Sequence, residues 1–248
     1  MNRFSAIVAA IAASAAALGF ALPAQAHQIW IEQPDGQNAT IRFGEFGENL
    51  REASPGLLDK FVKPAGTLVS AKGERASDAA KSTDGFTLPF KAADGESIVA
   101  EDAQYPLYSW KQGDKDTTNW FHPAARLITG FAEQQPKLAL DLVPAGKPGQ
   151  FKLFYKGQPK AKAKVTLVTQ SGWAKEGHTD EQGLVSFDMP WKGTYVAEVA
   201  VNERSPGERP GANGAEKYDG VSYVTTLTYV HADGLAPIPA GPAAAPGK

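Results

Sequence analysis

Cysteine is missing from all 248 residues. That excludes disulfides and thiolate metal sites, so a transition-metal site here has to use histidine, carboxylate, methionine or main-chain nitrogen. Basic runs are missing too, and the formal net charge is −2. Nucleic-acid binding needs a concentrated cationic face, so no nucleic-acid partner is expected. There is no G-x-S-x-G elbow and no serine set beside a histidine and an acid, so nucleophilic catalysis finds no support. The glycines fall between candidate strands rather than in a phosphate-cradling loop. Beyond residue 26 no apolar run approaches the ~20 residues that span a bilayer, so no transmembrane anchor is expected after processing.

What is present begins with an export signal. Arg3 supplies the positive start, residues 7–22 an alanine-rich apolar run, and Ala24-Gln25-Ala26 the small-x-small pattern before a cut. Residues 1–26 are therefore expected to be a cleaved signal peptide, which puts the mature protein in the periplasm with His27 first.

Helical periodicity is scarce in the remainder, while short alternating stretches bounded by Gly, Pro, Asp and Asn recur. Gln28-Ile29-Trp30-Ile31-Glu32 alternates, Pro34-Asp35-Gly36 reads as a turn, and Ala39-Thr40-Ile41-Arg42-Phe43 alternates again. Residues 57–62 fit one short helix, and residues 76–83 a helical turn or loop. After Pro136 strands are expected over residues 138–143, 151–155, 164–169, 184–187, 195–199 and 221–230. The fold expected is mostly β: two β-sandwich domains of immunoglobulin-like or transthyretin-like type. Their expected bounds are 27–136 and 137–232, followed by a disordered Pro/Ala/Gly tail over 233–248. Residues 205–220, rich in Pro, Gly and charge, are expected to form a long mobile loop.

The run Gly157-Gln158-Pro159, Ala163-Lys164-Val165-Thr166, Thr179-Asp180-Glu181-Gln182-Gly183-Leu184-Val185-Ser186-Phe187 and Gly193-Thr194-Tyr195 resembles a transthyretin-like or carboxypeptidase-regulatory sandwich. The start His27-Gln28-Ile29-Trp30-Ile31-Glu32 resembles the H-x-x-W-[LI]-E opening of a bacterial family of uncharacterised exported proteins. Members are often described as periplasmic components of nickel or cobalt uptake. The resemblance covers both ends of the mature chain and aligns residues 72–134 only loosely. Some members carry a histidine after the strand that holds Tyr195, where this chain reads Val199-Ala200-Val201-Asn202. What the resemblance implies is a metal-binding accessory to transition-metal uptake, with a membrane transporter or outer-membrane receptor as partner.

Among single residues His27 stands out. Once first in the chain, it offers its α-amine and ring Nδ1 to one ion, and the amine titrates near ~8. Such nitrogens suit nickel, cobalt, copper or zinc. His122, at the aromatic turn Trp120-Phe121-His122-Pro123, is the best second imidazole, so the expected metal set is His27 with His122. His178 reads as an exposed turn residue, and His231 as a strand end beside the tail. No H-x-H or i, i+4 pair occurs. Glu45 and Glu48 fit a solvated turn anchored by Phe43 and Phe46, with cation binding as the other reading. Glu32 shares a strand face with Trp30 and fits a structural ion pair. The tryptophans Trp30, Trp110, Trp120, Trp173 and Trp191 fit core positions before a sugar platform.

The first functional expectation is thus a non-enzymatic periplasmic metal-binding protein. Two alternatives stand beside it: a copper monooxygenase-like enzyme built on an N-terminal histidine brace, and a structural module that binds protein or glycan without metal.

Overall fold

The structure, a computed structural model, describes residues 27–112, 115–211 and 214–247. The expected signal segment lies outside the described residues, as does the side chain of Trp110.

Strands dominate, as the alternation requires. The first half holds β1 (Gln28–Glu32), β2 (Thr40–Glu45), β3 (Leu50–Arg51), β4 (Ala65–Ser70) and β5 (Gly73–Asp78). It continues with β6 (Ala80–Lys81), β7 (Phe86–Thr87), β8 (Ser97–Glu101), β9 (Tyr108–Gln112) and the long β10 (Lys115–Ile128). The second half holds β11 (Leu140–Pro144), β12 (Gln150–Tyr155), β13 (Gln158–Pro159), β14 (Lys164–Thr169) and β15 (Ala174–His178). Last come β16 (Leu184–Ser186), β17 (Gly193–Glu203), β18 (Gly207–Gly211), β19 (Gly214–Tyr218) and β20 (Gly220–His231).

A nine-stranded sheet runs through the molecule in the order β15-β14-β17-β20-β10-β8-β4-β5, with β9 paired to β10. A smaller sheet covers each of its faces. One carries β11, β12, β13 and β16, and the core between is built from residues such as Leu142, Phe151, Leu153, Val165, Tyr195 and Leu227. The other carries β1, β2, β3, β6 and β7, and encloses Ile29, Ile41, Phe43, Leu88, Ile98 and Leu127. Both are sandwich packings, and they share the central sheet.

That sharing runs across residue 136. β10 pairs with β20 in parallel, Asn119 opposite Gly220 and Ile128 opposite Tyr229, and β20 pairs antiparallel with β17. A buried ion pair joins the halves as well. Arg126 on β10 gives Nε and Nη2 to the two oxygens of Asp141 on β11, at 2.9 and 2.5 Å, and both side chains are 0% exposed. The same carboxylate accepts from Lys137 N at 2.6 Å, while Gln134 Oε1 accepts from Arg126 Nη1 at 2.8 Å. Fork-to-fork geometry and these extra partners make such a buried charge pair tolerable.

Residues 57–60 form a short 3-10 helix, close to the expected one. Residues 76–83, expected to be a helical turn or loop, instead extend into β5 and β6. Their register is held by pairing with β4 and β7, which outweighs the helical preference of alanine. Within 205–220, expected to be a mobile loop, β18 and β19 instead pair antiparallel, Gly207 opposite Tyr218 and Gly211 opposite Gly214. The pair is pinned because Arg209, 4% exposed, bonds Glu216 and the carbonyls of Ala103 and Tyr105. The Pro/Ala/Gly tail is laid along the surface by main-chain hydrogen bonds, from Leu235 N to Pro190 O and Ala244 N to Asn49 O. Its low hydrophobicity does not prevent this, because the contacts are made by backbone. Among the described residues no helix is long and apolar enough to cross a membrane.

Candidate functional site

His27 precedes β1 and is brought against β2 and β3 by their close approach. Gly44, on β2, has φ +141, and a Cβ there would stand 2.4 Å from the Leu50 carbonyl oxygen. Glycine thus lets Glu45 and Glu52, from either side of that turn, reach one imidazole. The ring packs on Phe43 with centroids 5.2 Å apart.

Glu52 Oε1 lies 2.6 Å from His27 Nε2, and the Glu52 side chain is 0% exposed. Its other oxygen accepts from Gly247 N at 2.9 Å. A carboxylate oxygen accepts, so Nε2 carries the hydrogen, and in the neutral ring Nδ1 is then the nitrogen with the lone pair. Nδ1 faces Glu45 Oε1 at 3.5 Å. That gap suits two donors sharing one ion at ~2.0–2.2 Å from each. A buried carboxylate on the far nitrogen of a ligating histidine is the usual support for such a site, fixing tautomer and ring orientation.

Beside it runs a groove of about 560 Å³, lined by Gln28, Glu45, Phe46, Thr166 and Glu198 among others. Burial pushes the Glu45 carboxyl up, the nearness of His27 works against that, and Glu48 and Glu52 add to it. Glu198, on β17, is pushed up to about 7 by burial, against the hydrogen bond it accepts from Gln28 Nε2 and with the charge of Glu45 adding. Glu32 takes the structural role expected of it: its carboxylate meets Arg42 and Arg51 and accepts from Trp30 Nε1. Burial alone would raise it, but these donors hold it below the usual carboxylate range.

His122 does not join His27. Side chains alternate along β10, and His122 stacks on Trp120 with centroids 4.7 Å apart and faces Tyr223, on the side of the sheet covered by β11 and β12. Phe121 points the other way, to Tyr105, which contacts Phe43 beneath His27. The central sheet therefore separates the two imidazoles, so the expected pairing of His27 with His122 is not formed, and the side chain facing His27 Nδ1 is Glu45. His122 Nε2 instead meets Glu101 Oε2 at 2.8 Å. His178 is exposed at the end of β15, and His231 Nδ1 lies 3.1 Å from the Trp191 carbonyl. Trp30 is buried, and Trp173 meets Trp191 edge to face at 74°, so neither offers a flat sugar platform.

Glu52 and Glu198 were not singled out from sequence. No spacing marks Glu52, which meets His27 only through the β2–β3 turn. A signal for Glu198 did exist: Tyr195, Val196, Ala197 and Val199 make both faces of that strand apolar, so an acid among them has to be sheltered.

Among the described residues no group of three or more His, Asp or Glu side chains is placed to hold a metal ion. The side chains that meet at this point are His27 Nδ1 and Glu45, 3.5 Å apart.

No curated protein matches the chain. Among solved structures, a two-domain fibronectin type III segment of chicken tenascin aligns over 79% of this chain and 96% of that one. The identity is 12% and the TM-score 0.19, too low to bear on fold or function. A family profile matches residues 24–203, most of the chain including the site: the protein belongs to the family described as a domain of unknown function, DUF4198.

Proposed function

We propose that this is a periplasmic metal-binding accessory protein that captures one nickel, cobalt, copper or zinc ion for uptake. The observation that carries the reading is the buried Glu52 carboxylate on His27 Nε2, which turns Nδ1 toward Glu45. Cleavage after Ala26 would supply a further donor, because the α-amine and Nδ1 of one histidine close a chelate ring around an ion. The residues fit such an ion only in that processed form. The uptake context comes from the resemblance of the HQIWIE start, with a membrane transporter or outer-membrane receptor as the receiving partner.

The monooxygenase alternative requires a second imidazole, and His122 lies across the sheet. Capture without turnover is the better fit.

The test is isothermal titration of untagged protein beginning at His27 with nickel(II) and copper(II). His27→Ala should abolish tight binding, Glu45→Gln should weaken it, and a form retaining Ala26 should bind poorly with every side chain intact. His178→Ala should bind like the parent. Equal affinity of the Ala26-retaining and processed forms would refute the site.

A further inference from the structure

The C-terminal tail crosses from one sandwich to the other and ends on the carboxylate that holds His27. Leu235 docks first, its N–H donating to Pro190 O at 2.8 Å and its carbonyl accepting from Lys192 N at 2.9 Å. Farther on, Gly241 O accepts from Asn49 Nδ2 at 2.9 Å, and Ala244 N donates to Asn49 O at 3.2 Å. Asn49 immediately precedes β3. Gly247 then donates its N–H to Glu52 Oε2 at 2.9 Å. A Cβ at Gly247 would stand 3.2 Å from Glu52 Oε1 and 3.3 Å from Leu57 Cδ1, so glycine seats that amide with least crowding.

We infer that this tail is a positioning strap: the Gly247 amide, by binding one oxygen of Glu52, aims the other at His27 Nε2 and so presents Nδ1 for metal. The inference rests on the metal-binding reading of His27 and adds to it the element that orients the ring. Glu52 is shut away from water, so it needs a donor for each oxygen, and the strap provides one of the two. The prolines at 237, 239, 242 and 246 stiffen the segment, which lowers the entropy lost on laying it down. Its side chains are mostly exposed, with Leu235 at 65% and Ile238 at 41%. Backbone bonds rather than apolar burial therefore hold it, and it can lift without unfolding the sheets.

The experiment uses untagged chain beginning at His27 in three forms: complete, ended after Ala240, and Gly247→Pro at full length. Long-range ¹H–¹⁵N NMR of metal-free protein reads the His27 tautomer. The complete chain should hold the hydrogen on Nε2, and both variants should show a tautomer mixture while unfolding within a few degrees of the parent. Nickel(II) titration should then find both variants weaker by about tenfold, as for loss of an orienting partner behind a ligand. An unchanged tautomer in both variants overturns the strap, and so does equal nickel affinity in all three forms. If the complete chain binds no nickel, the metal reading fails by itself, and the tautomer still decides whether the strap orients the ring.

Discussion

Glu198→Gln should make the protein more stable at pH 8 and nearly indifferent at pH 5. The wild-type carboxyl sits at the floor of the groove, where burial lifts its midpoint from 4.5 to about 7. Because the folded-state value is raised, the folded chain holds the proton more tightly than the unfolded chain between those two pH values. Stability is thus fully present below about 4.5 and is lost as pH rises through about 7. At ~1.4 kcal/mol per pH unit the full displacement amounts to ~3 kcal/mol. Solvent at the open side of the groove trims this to about 1–3 kcal/mol. Glutamine keeps the acceptor for Gln28 and carries no charge to desolvate, so it removes the pH-dependent part alone. Urea unfolding of both proteins at pH 5, 6, 7 and 8 is the assay, and titrating groups that do not interact with Glu198 cancel in the difference. Parallel stability curves across that range would refute the argument, as would a variant less stable at pH 8.

Three further outcomes follow from the packing. Asp141→Ala leaves Arg126 charged at 0% exposure and should cost about 3–5 kcal/mol in urea unfolding; a loss under 1 kcal/mol would contradict the pairing. Gly149→Ala should cost about 2 kcal/mol or more by calorimetry, since Gly149 has φ +71 and a Cβ there would lie 2.1 Å from the Phe187 carbonyl oxygen. Thr226→Val removes the 2.8 Å hydrogen bond to the Ile29 carbonyl and should cost about 1–2 kcal/mol, with faster amide exchange in β1; unchanged exchange there would show that this bond does not tie β1 to the sheet.

The strands with clean alternation were legible from sequence. Residues 151–155 and 164–169 match β12 and β14, because one face of each meets a core and the other is more open; residues 28–32 match β1, although Trp30 on its second face is buried as well. β10 was not legible. Trp120, His122, Ala124 and Ile128 face one sandwich and Phe121, Ala125 and Leu127 the other, so both faces are covered and no period of two survives. His27 could be singled out because the small-x-small pattern that precedes it is local in the sequence. Its real neighbours, Glu45 and Glu52, could not be assigned to it, since only the β2–β3 turn brings them there. The β18–β19 pairing is not legible in the sequence because polar, proline-rich composition reports missing apolar burial and is blind to main-chain hydrogen bonds.

The placing of β20 between β10 and β17 has a kinetic consequence. Asn119 must wait for Gly220 before their strands can pair, so the central sheet closes a very long loop, and such non-local parallel pairing is slow. Until residue 231 has been synthesised, β10 and β17 each present an open edge of unpaired backbone groups. An incomplete chain would therefore offer two templates for strand addition by its neighbours, the usual start of aggregation. The last strand made is the one that ends that hazard, and holding the chain unfolded until then protects it.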